Sequence, residues 1–330
     1  MAATTRILPP PSGKRTGGRI HSWLQRLKRG DEIAYLITLM FATSVVLLGA
    51  LLVLQLWWQS SLSRQAFGWH FLVSSAWNPV SDQFGALPFI YGTLVTSGVA
   101  LLIAVPLGLG AAIFLAELAP RFISDVMTFV TELLAAIPSV IIGLLGIFVL
   151  VPILRIYVDP ALQSTLGFLP FFKGPIYGVG LFAASVVLAI MIVPFIITVS
   201  REILLAVPTE QREAALALGA TKWESTWKVV VPYARSGIIG SVFLALARAL
   251  GETMAVTMVI GNAPLISTSL FAPGNTIASV IANEFAEATG TLNLQALIEL
   301  GLVLFAVTIV INAFARMLVL VTTRKATSHG

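Results

Sequence analysis

Six long apolar runs, separated by polar or Pro/Gly-broken segments, organise this chain of 330 residues. They cover 33–58, 89–115, 137–151, 177–199, 238–260 and 297–320. Crossing the roughly 30 Å hydrocarbon core takes about 20 helical residues. The third run reaches that length when the amphipathic stretch 123–134 is taken as its lead-in. Pro106, Gly108 and Gly110 in the second run, and Pro138, Gly143 and Gly146 in the third, suit a membrane bundle. There, neighbouring helices satisfy freed backbone groups and small residues allow close packing. Segment 59–88, with Trp69, Trp77, Asn78 and Pro79, reads as an ordered external loop. Segment 155–174, broken by Asp159, Pro160, Gly167 and Pro170, reads as a second. Segment 261–291 reads as a third, with a short helix over 275–288. The pattern predicts an all-α integral membrane protein with six transmembrane helices.

Composition agrees: 57% of residues are hydrophobic and 11% charged, where a soluble domain has roughly 25% charged, and mean hydropathy is +0.94. There is no cysteine, which excludes a disulfide framework and a thiolate metal site. His21, His70 and His329 are scattered and lack metal-ligand spacing, so no metal site is expected. Ser12-Gly13-Lys14 looks like the end of a phosphate-binding loop, but Arg15 and Leu8 stand where a hydroxyl residue and the first glycine are needed. Any ATP must then be handled by another chain. Residues 1–30, rich in Pro, Gly, Lys and Arg, read as a disordered basic tail.

The net charge of +5 reflects basic residues beside spans rather than a nucleic-acid surface. With the N-terminus inside, the inner segments hold the tail's basic residues, Arg121, then Arg201, Arg212, Lys222, Lys228 and Arg235, then Arg324 and Lys325. The outer loops hold only Arg64, Arg155 and Lys173. That bias predicts N- and C-termini both cytoplasmic. The expected organisation is a tail over 1–30, a first helix with its external loop over 31–88, a transmembrane core over 89–325 and a C-terminal tail over 326–330. A cytoplasmic loop over 201–237 interrupts the core.

That loop is patterned. Thr209 can cap a helix starting at Glu210. Gly219 stands where a helix end favours a left-handed residue. Thr221 to Glu224 fits a capping box, and Trp223, Trp227, Val230 and Val231 fall on one face of the next helix. Two short helices around a glycine elbow are expected. An amphipathic connector packed only on its own spans would show the same stripe. The full spacing adds more: Glu213-Ala214-Ala215, three residues, Gly219, nine residues, then Val229, Val231 and Pro232. This resembles the EAA loop of permease subunits in binding-protein-dependent ABC importers, with valines where isoleucine and leucine are common. The resemblance implies a type I ABC importer permease fold. It also implies a coupling helix in which Glu213, Ala214, Ala215, Gly219 and Pro232 serve docking to a cytoplasmic ATPase.

Charges inside a span cost about 2.5–3.5 kcal/mol each and are candidates for function. Arg248 and Glu252 lie in the fifth run, four residues apart, and on a continuous helix would share a face. A self-neutralising structural pair would look the same. Their surroundings, Ala245 to Asn262, together with Trp77 to Gly98 and Ala135 to Leu144, resemble phosphate-importer permeases of the PstC and PstA kind, PstC more closely. The resemblance implies that Arg248 and Glu252 serve phosphate passage and that the chain is a transport subunit with no cofactor of its own. ATP and magnesium would sit on the partner ATPase. The implied partners are a second, PstA-like permease, a PstB-like ATPase dimer, a PstS-like external phosphate-binding protein and membrane lipid, with no nucleic acid. An importer of another oxyanion such as sulfate or molybdate, an ATP-independent carrier with Glu252 as a proton site, and a membrane scaffold or sensor are the other readings.

Overall fold

The computed structural model of the protein describes residues 31–327, and the expected tail over 1–30 and the last three residues lie outside them. Six helices are long and apolar enough to cross a membrane: Ile33–Gln59, Leu87–Leu118, Ser139–Leu166, Leu181–Leu205, Lys222–Leu250 and Thr291–Met317. We number them spans one to six. The contacts divide the chain at Gln55/Leu56. The part before the division is a single apolar helix, Asp31 onward, with no buried side chain from Ile33 to Gln55.

The larger unit, from Leu56, is built around span four. Its buried positions Leu181, Ala184, Leu188, Ile192 and Ile196 meet Ala100 and Ala104 of span two. The two helices approach closely because Gly108 faces Ile196; a Cβ there would lie 2.8 Å from its methyl, which is the small-residue packing expected where no hydrophobic force drives helices together in lipid. Ser200 and Ser241 join spans four and five through a buried hydroxyl–hydroxyl bond of 2.8 Å.

Three expectations about element ends are corrected. First, 155–174 is not an outer loop throughout: span three continues to Leu166. Pro160, which suggested a break, is absorbed, as is Pro152, because π-helical turns at Gly146–Leu150 and Leu154–Val158 directly precede the turns carrying Pro152 and Pro160. A wider turn accommodates a ring and a missing N–H that a regular α-turn could not. Secondly, Arg121–Ala135 is a separate helix with exposed Phe122, Phe129 and Leu133; the extended Pro138 ends it before span three begins.

Thirdly, the fifth run is not one helix. It stops at Leu250, and the chain turns at Gly251–Thr253 into a short helix, Met254–Val259. Ala255, Val256, Val259 and Ile260 are buried in the core with spans two and four. Segment 261–291 likewise contributes more than a loop. Ile277–Glu284 starts at a reciprocal cap between Thr276 and Ser279, and the N–H of Ile277 donates to Thr93 Oγ at 3.0 Å in span two. Gly92 makes this docking possible, since a Cβ there would sit 2.0 Å from the Asn275 carbonyl.

The segment before span two folds over this docked helix. Phe71, Phe84 and Phe89 are buried with Ile277, Leu297 and Leu300, and Trp77 packs edge-on to Phe84 and Phe89 at 5.0 and 4.8 Å. Trp77 Nε1 donates to Glu284 Oε2 at 2.9 Å. Burial pushes the Glu284 carboxyl above its ordinary value, with the indole bond opposing that shift.

Candidate functional site

The 201–237 segment is a rigid elbow. Thr209–Ala217 forms a helix whose N-cap is Pro208 rather than Thr209, and no side chain caps it, which corrects the expected Thr209 cap. Its C-terminus closes as a Schellman motif: Gly219 N–H donates to Leu216 O at 3.0 Å and Ala220 N–H to Ala215 O at 3.1 Å, with Gly219 at φ +87°. A side-chain-bearing residue rarely adopts that conformation. The predicted capping box then opens the next helix, with Glu224 N–H on Thr221 Oγ at 3.2 Å and Thr221 N–H on Glu224 Oε2 at 3.0 Å.

The capping box does not open a second short helix, as expected from the sequence. Lys222–Ser225 runs through a π-helical turn, Thr226–Val230, directly into Val231–Leu250, so the second arm of the elbow is the first part of span five. Pro232 directly follows that wide turn, which accommodates its ring and missing N–H as at Pro152 and Pro160. The wide turn also splits the expected apolar face. Val230 is fully buried against Ala112, Leu204 and Ile238, while Trp223 and Trp227 stack edge-on at 5.6 Å and remain about half exposed. Glu213, Ala214 and Gly219 face outward, Ala215 is half-buried and Leu218 is 90% exposed. The elbow therefore presents a small-residue and apolar surface outward on a preorganised frame.

Arg212, which no sequence motif singles out, ties this frame to the bundle. Its Nη2 lies 2.8 Å from Glu117 Oε1, and Nε lies 3.2 Å from both carboxylate oxygens. The same guanidinium donates to the carbonyls of Leu204, at 2.7 Å, and Val207. Glu117 closes span two and Leu204 lies in the last turn of span four, so one side chain joins the elbow helix to two spans. The carbonyls at a helix C-terminus lack intrahelical donors and attract a cation. With Glu117 only 9% exposed, the pair is a partly desolvated, fork-type contact. The available signal was an acid in the short link after span two and a cation beside Glu213; sequence spacing could not pair them across 95 positions.

Arg248 and Glu252 lie on either side of the break that ends span five. Arg248 is exposed in the last helical turn, its guanidinium carbon 6.0 Å from the Phe195 ring centre of span four, a placement that the helix dipole favours for a cation. Glu252 lies beyond Gly251, and its Oε1 accepts from the Ala255 N–H at 3.4 Å, toward the start of the next helix. Because Gly251 interrupts the helix, the two do not share a continuous helical face, and no ion pair joins them among the described residues. The structure brings them to one discontinuity instead. Broken backbone of this kind is tolerated at membrane depth where protein buries it or where it borders a polar path.

Comparison with known proteins places these features in a family. Residues 104–324 match the model of the binding-protein-dependent transport system inner membrane component. The chain is 46% identical to the phosphate transport system permease protein PstC of Mesorhizobium japonicum, over 97% of this chain and 98% of that protein. It is 48% identical to the protein of the same name from Xylella fastidiosa, over 97% and 99%. A probable PstC of Methanocaldococcus jannaschii is 36% identical over 87% and 92%. Among solved structures, the MetNI methionine ABC transporter, in inward-facing conformations, has a chain that superposes with a TM-score of 0.52 at 18% identity, over 71% of this chain and 94% of that one; the fold is that of an ABC permease. The chain therefore belongs to the family of binding-protein-dependent transport system inner membrane components and, within it, to the PstC-type permeases.

Proposed function

We propose that this multi-pass membrane protein is the transmembrane permease subunit of an ATP-driven importer of inorganic phosphate, seated in a bacterial plasma membrane with both termini cytoplasmic. The observation that carries the reading is similarity to phosphate transport permeases along almost the entire chain. It is a transport subunit, and hydrolysis of ATP with magnesium is the work of a partner ATPase pair. A second, PstA-like permease completes the path, and an external phosphate-binding protein delivers the anion.

The outward surface of Glu213, Ala214, Ala215 and Gly219 is the docking contact for the ATPase in this reading. Small alanines allow close approach, Glu213 offers a charged contact, and the doubly capped elbow moves as one body. Pro232 begins the rigid shaft that continues to Arg248. Because the second arm is continuous with span five, a tilt of the elbow is delivered along one helix to the break at Gly251. Arg212 carries the same tilt into spans two and four through Glu117 and the carbonyl of Leu204.

At the break, Arg248 offers a planar fork of donors to phosphate oxygens. A permanent, fully satisfied site would hold the anion too strongly to release it. Glu252, free of an ion pair with Arg248 and held, among the described residues, only by the Ala255 N–H at 3.4 Å, is placed to compete for the guanidinium as phosphate leaves. The test is radiolabelled phosphate uptake into proteoliposomes containing the assembled complex. Wild type accumulates phosphate only with ATP inside, Arg248→Gln abolishes accumulation while assembly persists, and Glu252→Gln slows release. Normal uptake by Arg248→Gln, or ATP-independent uptake by this chain alone, would refute the assignment. Uptake of sulfate or molybdate in preference to phosphate would overturn the choice of cargo.

A further inference from the structure

An elongated cavity of about 640 Å³ lies among the segment 57–72, span two and span six. Its walls are apolar, drawn from Leu72, Leu94, Val303, Ala306, Val307 and Val310. Along span six it extends from Glu299 to Ile311, a rise of about 18 Å at 1.5 Å per residue. One leaflet of a roughly 30 Å hydrocarbon core is about 15 Å deep, so the cavity has the length of one acyl layer. Because spans alternate in direction, the segment before span two and the start of span six share the side opposite the 201–237 elbow.

The polar end is built differently from the walls. Arg64 stands over the Trp57 ring with its guanidinium carbon 3.7 Å from the ring centre. Its Nε donates to Ser60 Oγ at 3.2 Å and its Nη2 to the Trp57 carbonyl, while Nη1 has no hydrogen bond among the described residues. Glu299 is 5% exposed; the buried Ser63 hydroxyl lies beside its carboxyl, but neither Glu299 Oε2 nor Ser63 Oγ has a partner at hydrogen-bond geometry among the described residues. No ion pair joins Arg64 to Glu299 among the described residues. Trp57 and Trp69 line the same end, as aromatic rings do at a membrane–water boundary.

A carboxyl oxygen buried with only a poorly placed hydroxyl beside it leaves its desolvation cost uncompensated, and the open cation edge of Arg64 calls for an anion. The occupant must then present both charges and an apolar chain. We propose that this cavity holds one acyl chain of an ethanolamine phospholipid, with its phosphate on Arg64 and its ammonium on Glu299. The lipid completes the joint between the segment 57–72 and span six.

The experiment is native mass spectrometry of the intact complex released from detergent, with the retained lipid identified by extraction. The wild type retains an ethanolamine phospholipid at one per chain. Ala306→Trp, at an exposed position that fills the groove without entering the core, lowers that occupancy at least about tenfold while the complex remains assembled. Glu299→Gln keeps a bound phospholipid but loses the preference for ethanolamine over glycerol headgroups. Absence of retained phospholipid in the wild type, unchanged occupancy in Ala306→Trp, or lipids in the proportions of the bulk membrane would each overturn the proposal. So would a photo-crosslinker at position 310 that labels a polypeptide rather than lipid.

Discussion

Removing Arg212 tests whether the elbow is coupled to the bundle through one side chain. Arg212→Met leaves Glu117, 9% exposed, without its fork partner and strips donors from the carbonyls of Leu204 and Val207. Breaking one side of a buried ion pair costs about 3–5 kcal/mol. For a chain of this size that corresponds to a fall in Tm on the order of 10 °C. Replacing both partners, with Glu117→Leu added, removes the stranded charge and is expected to recover most of the loss, because buried pairs often exchange for apolar residues at little cost. The coupling energy from the double-mutant cycle should then be at least about 3 kcal/mol, the size of the loss that the second substitution cancels. Thermal unfolding of the assembled complex in detergent, followed by tryptophan fluorescence, measures stability, and phosphate uptake by the same preparations measures coupling. The double variant should be nearly as stable as wild type yet import poorly, since the polar joint is gone while packing is restored. A single-variant loss below about 0.5 kcal/mol, the range of ordinary surface changes, would refute the clamp. Full uptake by the double variant would refute its role in transmission.

Other outcomes concern single positions. A Cβ added at Gly219 would meet nothing within 4 Å, but the residue sits at φ +87°, so Gly219→Ala is expected to cost about 1–2 kcal/mol from backbone alone. Gly219→Asn should cost less, and copurification with the ATPase checks both. Gly92→Ala would place a carbon 2.0 Å from the Asn275 carbonyl, so the helix Ile277–Glu284 should undock and the yield of folded protein should collapse. Trp77→Phe preserves the ring stack but removes the donor to Glu284, a bond to a charged group worth about 1.5–3 kcal/mol. Burial already raises the Glu284 carboxyl, and losing the indole raises it further. Such a group is protonated in both states at low pH, and its penalty on the folded state grows as pH rises from the ordinary carboxyl value to the raised one, then stays constant. The Tm difference between Trp77→Phe and wild type should therefore widen from pH 4 to pH 8; a difference independent of pH would exclude this origin.

Much of the fold was legible because lipid imposes a simple rule on composition. Six apolar stretches, their approximate centres and the polar elbow can be read from hydropathy, since each span must satisfy its own backbone groups. The elbow's Gly219 and its capping box were also readable, because both are local devices needing only the residues within one turn. The ends of spans three and five were not. Pro152, Pro160 and Pro232 carry the same local signal whether a helix stops or widens into a π-turn, and neighbouring spans decide between those outcomes. Gly251 similarly reads as an ordinary glycine in an apolar run, and the burial of Ala255, Val256 and Val259 against spans two and four marks it as a break.

The sequence by itself determined that this is a six-span membrane protein with a capped polar elbow and two charges in the middle of its fifth run. It did so through properties that short stretches possess alone: hydropathy, capping and handedness. Only the tertiary structure decided which distant groups meet. Arg212 finds Glu117 across 95 positions, Gly92 admits Asn275, and Arg248 and Glu252 flank a break instead of sharing a helix. Those pairings depend on how helices pack in three dimensions, and packing is a property of the assembled bundle that no single stretch encodes.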